Sequence, residues 1–442
     1  MFLKRLQLAL IHTAVAMTLV PINSTLNRVM IFDLGFSKTL FTLLSVFPYL
    51  LAPIQVAIGS FSDRNPIFGY RRTPYIFAGL ILCVLGVAIA PQVAVLLTEN
   101  FNLGIILGVF AFGAWGMGYN LSAVSYFSLA TELSGKKGRG ATIATMFFLM
   151  VFGLIATGLT LSRLVPAYTP EALTRAFTIV AASALTLGLL GLIKLEPQSR
   201  AADLSPQKGS ADLHPHSSYS LKEMTAAITE NPIAKVFFIY LLLLLAAILG
   251  QDVLLEPFGA QAFGMTLQQT SRIVSISSTF TLVAFIVAGF MEGRVPKKAI
   301  AQIGNLGALA GFLVIIVSGV MRNLSLFYVG ITLLGFGTGI STVANLSLMF
   351  ELTVPEKVGL YIGAWGFSNG LSRLTGLLMA GVVADIATQV TGHELSGYLI
   401  VFGIEALMLS AAAFMLHRID AIAFQKKAHE PGFAEKIGIA AE

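Results

Sequence analysis

Twelve apolar runs, each about 20 residues long, punctuate this 442-residue chain. A run of that length is what a helix needs to cross the roughly 30 Å hydrocarbon layer of a bilayer. Inside hydrocarbon the main chain must bond to itself, so runs of this kind fold as helices and the chain as a bundle of them. With 56% hydrophobic and 11% charged residues, there is too little polar surface to cover a water-soluble globule of this size. The spans are predicted near 8–31, 39–58, 74–97, 103–127, 141–164 and 173–193, then near 233–256, 269–291, 299–320, 325–349, 359–382 and 396–416. The run after Met1 carries Lys4 and Arg5 but no small-residue cleavage site, and leads into polar sequence, so it reads as the first span rather than a removable signal.

Charge sets the expected orientation. Placing the N-terminus in the cytoplasm assigns about 21 of the 28 Lys and Arg to cytoplasmic segments and about 6 to external ones, with Arg373 inside a span. Both termini are therefore expected in the cytoplasm. The formal charge of +6 is spread over many short loops rather than gathered on one patch, which argues for membrane lipids as the contact and against nucleic acid. The single cysteine, Cys83, lies in a predicted span, so no disulfide within the chain is possible and a packing role is expected.

Between Leu195 and Asn231 the composition turns to Ser, Pro, Gln, His and charge. This reads as a cytoplasmic linker, residues 195–231, separating a six-helix half at 1–194 from another at 232–416, with a cytoplasmic tail at 417–442. His214 and His216 within the linker, with no cysteine nearby, read as solvated rather than metal-binding. The halves repeat: a shift of 219 places Gly118, Ser122, Ser128, Glu132 and Gly140 on Gly337, Ser341, Ser347, Glu351 and Gly359. The expected fold class is thus an all-α membrane protein of twelve transmembrane helices. Two pseudo-symmetric six-helix halves about a central cavity are the architecture of the major facilitator superfamily.

After the second span comes Gly59-Ser60-Phe61-Ser62-Asp63-Arg64, followed by Arg71-Arg72, which resembles that superfamily's loop 2–3 motif. Gly59 lets helices approach, Asp63 can cap or pair with a helix end, and Arg64, Arg71 and Arg72 can anchor at an anionic leaflet. The equivalent segment from Gly289 lacks the aspartate, which puts a symmetric gate in doubt. Glu132 and Glu351, at equivalent inner ends of spans 4 and 10, are expected to tie loops together and complete a conformational gate.

The polar residues at the outer ends of spans 1 and 7 carry the most chemistry. Under a shift of 229, Asn23 falls on Asp252, Asn27 on Glu256 and Arg28 on Pro257. Asp252 and Glu256 are four apart, the spacing of one helix face. Pro21 and Pro257 are expected to interrupt their helices, freeing carbonyls beside these side chains. If the segments face each other, Arg28 can pair with Glu256 or Asp252, either as a site where a substrate, proton or pigment edge competes for the pair, or as a structural ion pair. Arg373, beside Ser372 and Asn369, is expected to line the cavity, and Glu405 to be structurally paired. His12, in the first span, is a weak candidate ligand for a chlorin magnesium; a packed histidine is the plainer reading, and no metal site is otherwise indicated. Trp115 and Trp365 can stack on a ring or pack. No phosphate-binding loop, Cys/His metal spacing or nucleophile elbow occurs, so no enzymatic activity is expected.

Two segments, Gly250-Gln251-Asp252-Val253-Leu254-Leu255-Glu256-Pro257-Phe258-Gly259 and Leu26-Asn27-Arg28-Val29-Met30, resemble signatures of the PucC/LhaA family, a pigment-linked branch of the major facilitator superfamily. The resemblance implies a multi-pass protein of a photosynthetic membrane, thylakoid or intracytoplasmic, or of the cell inner membrane. It further implies binding or delivery of chlorophyll or bacteriochlorophyll during assembly of light-harvesting or photosystem complexes, with their subunits and pigment-synthesis proteins as partners. Asn23, Asn27, Arg28, Gln251, Asp252, Glu256 and Arg373 would form the pigment-binding or coupling site. Two alternatives stay open: a proton-coupled secondary transporter of a small solute, and a non-transporting scaffold for small pigment proteins.

Overall fold

The computed structural model describes residues 2–51, 54, 58, 61–62, 65–197, 226, 228–353 and 358–428. Among these the chain is almost entirely helical, with eleven helices long and apolar enough to span a membrane. They are α1 (Phe2–Asp33), α4 (Thr73–Glu99), α5 (Phe101–Gly135), α6 (Gly138–Leu164), α7 (Pro170–Leu192), α8 (Pro232–Gly250), α10 (Leu267–Met291), α11 (Lys297–Met321), α12 (Leu324–Glu351), α13 (Val358–Thr391) and α14 (Glu394–Leu416). The remaining helices are α2 (Lys38–Ser45), α3 (Phe47–Leu50), α9 (Leu255–Phe263) and α15 (Ala421–Ala428). The span expected at 39–58 is represented by α2 and α3, its later part falling outside the described residues. So do Gly59, Asp63 and Arg64, nearly all of the expected linker and the end of the tail.

Helix starts follow local chemistry. Asn100, Thr169, Asn231 and Asn323 each sit one residue before a helix and accept from an N–H of its first turn, which would otherwise lack a partner. Pro170 and Pro232 open α7 and α8, where their missing N–H costs nothing. Large apolar side chains stay on the outside: Phe110, Phe152, Phe290 and Leu407 are all exposed. In water such a surface would aggregate, and in hydrocarbon it is matched to its solvent.

The chain divides into two compact units. One comprises Met1–Pro206, Asp252–Thr279 and Ala380–Tyr398; the other comprises Gln207–Gln251, Phe280–Met379 and Leu399–Glu442. Within the first, α4 crosses α5 so closely that a Cβ on Gly118 would lie 2.5 Å from the Gly79 carbonyl oxygen. Within the second, a Cβ on Gly337 would lie 2.6 Å from the Gly307 carbonyl carbon as α11 crosses α12. Gly118 and Gly337 are the pair related by the 219-residue shift. Gly118 and Gly337 thus serve close helix packing.

A second repeated feature ties the same elements. Arg72, one residue before α4, meets Glu132 near the end of α5 at 3.1 Å, and Lys297, opening α11, meets Glu351 at the end of α12 at 2.8 Å. In the first unit Arg72 also donates to the Ser62 hydroxyl at 2.6 Å. Glu196, which the sequence did not single out, accepts from the backbone N–H groups of Arg71, Arg72 and Thr73 at 2.7–3.2 Å. A carboxylate against the exposed N–H groups of a helix start is favourable both as a cap and against the helix dipole.

Candidate functional site

Polar side chains gather where α1 winds irregularly. Pro21 cannot donate an N–H, and from there the helix widens into π turns over Pro21–Leu26 and again over Val29–Asp33. Pro21 therefore alters the winding without ending the helix. Ser24, Thr25, Asn27 and Arg28 are all buried on this segment. Arg28 forms an ion pair with Asp33, five residues on. Its guanidinium lies 4.6 Å from the centre of the Phe32 ring and reaches the Met265 carbonyl at 3.4 Å.

The segment following α8 supplies the facing wall. The helix stops at Gly250, makes a single tighter turn over Gln251–Val253, and resumes as α9 at Leu255 with Pro257 in its first turn. The break precedes Pro257, where proline is tolerated. Gly264, in a left-handed conformation at φ 64°, ends α9 and turns the chain so that Met265 faces Arg28. The freed Val253 carbonyl accepts from Asn27 Nδ2 at 2.5 Å, and the same amide donates to the Asn23 carbonyl at 3.2 Å. Thr25 and Ser271 share a hydroxyl contact at 3.3 Å.

Glu256 is buried on α9 with Ser24 and Arg28 as its polar neighbours. The Ser24 hydroxyl is the hydrogen-bonding neighbour of its carboxylate, while Asn27 Oδ1 and Arg28 Nε are buried without a partner. A small crevice of about 200 Å³ lies over the Arg28–Asp33 pair, lined also by Pro166, Ala167, Tyr168, Thr266 and Leu267.

Asn27, Arg28 and Glu256 thus come together, and Asn23 joins them through its backbone carbonyl. Asp252 is exposed while Glu256 is buried, so the two do not share a face: the tight turn and Leu254 interrupt the rotation that a continuous helix would give them. Arg28 takes Asp33 as its ion-pair partner, in place of the expected Glu256 or Asp252. Gln251 is buried at the end of α8 and donates to the Ile248 carbonyl at 3.1 Å. In the second unit, Arg373 is half-buried on α13, and Glu405 is fully buried, packed where Gly250 and Gly376 meet. His12 sits among the rings of Tyr126, Phe127 and Phe147 at 5.1–5.4 Å, a packed position with no open face for a macrocycle. Trp115 donates to the Thr18 hydroxyl at 3.2 Å, Trp365 packs edge-on to Phe237, and Cys83 is buried, all as core groups.

Three other contacts escaped sequence reasoning. Asp33 is one, five residues from Arg28 and facing it only because the segment winds as a π turn. A second is the cluster in which Lys38 Nζ meets Glu394 at 2.7 Å and Asp385 at 3.6 Å, while Asp385 caps the N–H groups of Lys38 and Thr39. Charges standing in short loops between apolar runs were the available clue. The third is the Arg272 contact with the Ser162 hydroxyl at 3.0 Å.

Residues 25–424 match the family described as PUCC protein, a range that takes in Asn27, Arg28, Glu256 and nearly every helix. This chain belongs to the PucC family. Among its curated relatives, Protein PucC of Rhodobacter capsulatus is 30% identical over 92% of this chain and 90% of its own length. Protein PucC of Cereibacter sphaeroides is 29% identical over 89% and 86%. Another relative, 26% identical over 94% of both chains, is named Bacteriochlorophyll synthase 44.5 kDa chain of Rhodobacter capsulatus. Among solved structures, a mutant form of nucleoside transporter NupG superposes with a TM-score of 0.71 at 16% identity, covering 94% of this chain and 99% of that one. A D-xylose-proton symporter superposes at 0.69 and 15% identity, covering 95% and 96%. The PucC fold here is therefore that of the major facilitator transporters, in a multi-pass integral membrane protein.

Proposed function

We propose that this PucC-family protein binds or delivers a chlorophyll-type pigment during assembly of light-harvesting or photosystem complexes, without itself catalysing a reaction. The family match over 25–424 carries the reading. The relatives' names, PucC and a bacteriochlorophyll synthase chain, point the same way. The polar cluster of Asn23, Asn27, Arg28 and Glu256 is the proposed contact for the polar edge of the pigment, with Asp252, Gln251 and Arg373 as further candidates. Light-harvesting subunits and pigment-synthesis proteins are the proposed partners. The repeats 1–194 and 232–416 are the proposed halves, with both termini on the cytoplasmic side and the Arg72–Glu132 and Lys297–Glu351 pairs restraining their loops.

The test is an absorption spectrum of the detergent-purified protein, with mass spectrometry of its extracted small molecules. Stoichiometric chlorophyll or a precursor, lost in Glu256→Gln while the protein stays folded, is the expected result. A colourless preparation that stays so when pigment is supplied would overturn it. A second reading, proton-coupled transport of a small solute, draws on the burial of Glu256 in a transporter fold. Proton-dependent uptake into liposomes that Glu256→Gln abolishes would favour it.

A further inference from the structure

The turn between α5 and α6 carries charge that its geometry does not require. It reads Gly135-Lys136-Lys137-Gly138-Arg139-Gly140, three cations and no carboxylate. Under the 219-residue shift the second repeat has Val354-Pro355-Glu356-Lys357-Val358-Gly359 in its place, one cation against one carboxylate. The second repeat therefore joins its two helices without the surplus, and the surplus of the first repeat needs another reason.

The start of α1 adds to it. Lys4 and Arg5 stand there, and a guanidinium nitrogen of Arg5 lies 3.2 Å from where a Cβ on Gly138 would be. Arg5 and Arg139 are both half-buried, and the Nε of each is buried without a hydrogen-bond partner. Among the described residues neither side chain enters an ion pair. The carboxylates of this end of the unit are engaged elsewhere, Glu132 with Arg72 and Glu196 with the N–H groups that open α4. Charges withdrawn from water are normally paired, so two such guanidiniums call for an anion from outside the chain.

The surroundings say which anion. Nothing lies within 4 Å of where a Cβ on Gly135 or Gly140 would stand, so the backbone of the turn is open to approach. Phe2 and Leu3 are exposed beside Lys4 and Arg5, and Ile143 and Phe148 are exposed on α6. Cationic heads above exposed apolar side chains mark a helix end at the boundary of headgroups and acyl chains. A guanidinium can engage two phosphate oxygens at once, and basic pockets between membrane helices hold anionic headgroups.

We propose that Arg5, Arg139 and the turn 135–140 bind the phosphate of an anionic phospholipid headgroup. The site lies at the opposite end of α1 from Asn27 and Arg28 and does not depend on the pigment reading.

The test is titration of the delipidated full-length protein in detergent with phosphatidylglycerol or phosphatidylcholine, bound lipid being counted by native mass spectrometry. Phosphatidylglycerol is expected to bind about tenfold more tightly, and Arg5→Gln with Arg139→Gln to abolish that preference. Arg418→Gln with Lys426→Gln removes the same charge from exposed positions and should leave it intact. Arg139→Gln alone, expected to weaken phosphatidylglycerol about threefold, decides the matter if the double variant fails to fold. No preference in the wild-type protein, an unchanged preference in Arg139→Gln, or equal losses in the two double variants overturns the proposal. Inorganic phosphate that displaces phosphatidylglycerol at equal concentration would also overturn it, because the site would then read a free anion rather than a lipid.

Discussion

Arg28 sits between two carboxylates that differ in kind. Asp33 meets it at the exposed end of α1, whereas Glu256 lies buried beside it, next to the Ser24 hydroxyl. Removing Arg28 takes away a cation beside Glu256, and an uncompensated buried charge is expensive. Arg28→Leu is expected to destabilise the protein by about 2–3 kcal/mol, read as a lower thermal midpoint of the monodisperse protein. Adding Glu256→Gln to Arg28→Leu should restore part of that loss, because the second change removes the charge that the first one stranded. A double variant less stable than the sum of the two singles would show that Arg28 does not act through Glu256. Asn27, Arg28 and Glu256 were legible in the sequence because charge and amide are conspicuous in apolar runs. Asp33 was not, because a partner five residues away faces Arg28 only on a π turn, and the sequence gives a proline but no winding.

Helix breaks explain the remaining mismatch at the scale of elements. A spacing of four predicts one face only if the helix is continuous, and the tight turn at Gln251–Val253 separates Asp252 from Glu256. Regular elements were easier to read, since the 219-residue repeat located Gly118 and Gly337 and both fall at close helix crossings. Those crossings make a direct prediction. Gly118→Ala and Gly337→Ala each force a methyl into a neighbouring backbone and should cost about 1–3 kcal/mol, visible as reduced folded yield and a lower thermal midpoint. Gly113, on the same helix as Gly118, has open space where its Cβ would stand, so Gly113→Ala should leave both measures unchanged or slightly raised. Equal losses at Gly113 and Gly118 would mean that helix propensity or lipid contact, rather than the crossing, governs these positions.

For the whole molecule, the distribution of charge bears on orientation, which helix geometry leaves open. Lys and Arg gather in alternate loops, and basic loops are held back in the cytoplasm during insertion. The chain carries its own control for testing this. Its single cysteine, Cys83, is fully buried between α4 and α5 and should be silent towards a membrane-impermeant maleimide. One cysteine placed at an exposed position then reports its side without removing any native residue. Leu3→Cys, at the start of α1, and Lys426→Cys, on α15, are expected to label only from the cytoplasmic face, and His393→Cys, in the turn between α13 and α14, only from the opposite face. Labelling of Leu3→Cys and His393→Cys from the same side would contradict the eleven crossings expected between them, which are the ten described spans before His393 and the span expected at 39–58. A clean reversal of all three would keep the fold but overturn the orientation, and would place the crevice above Arg28 and Asp33 on the cytoplasmic side, within reach of pigment supplied from within the cell.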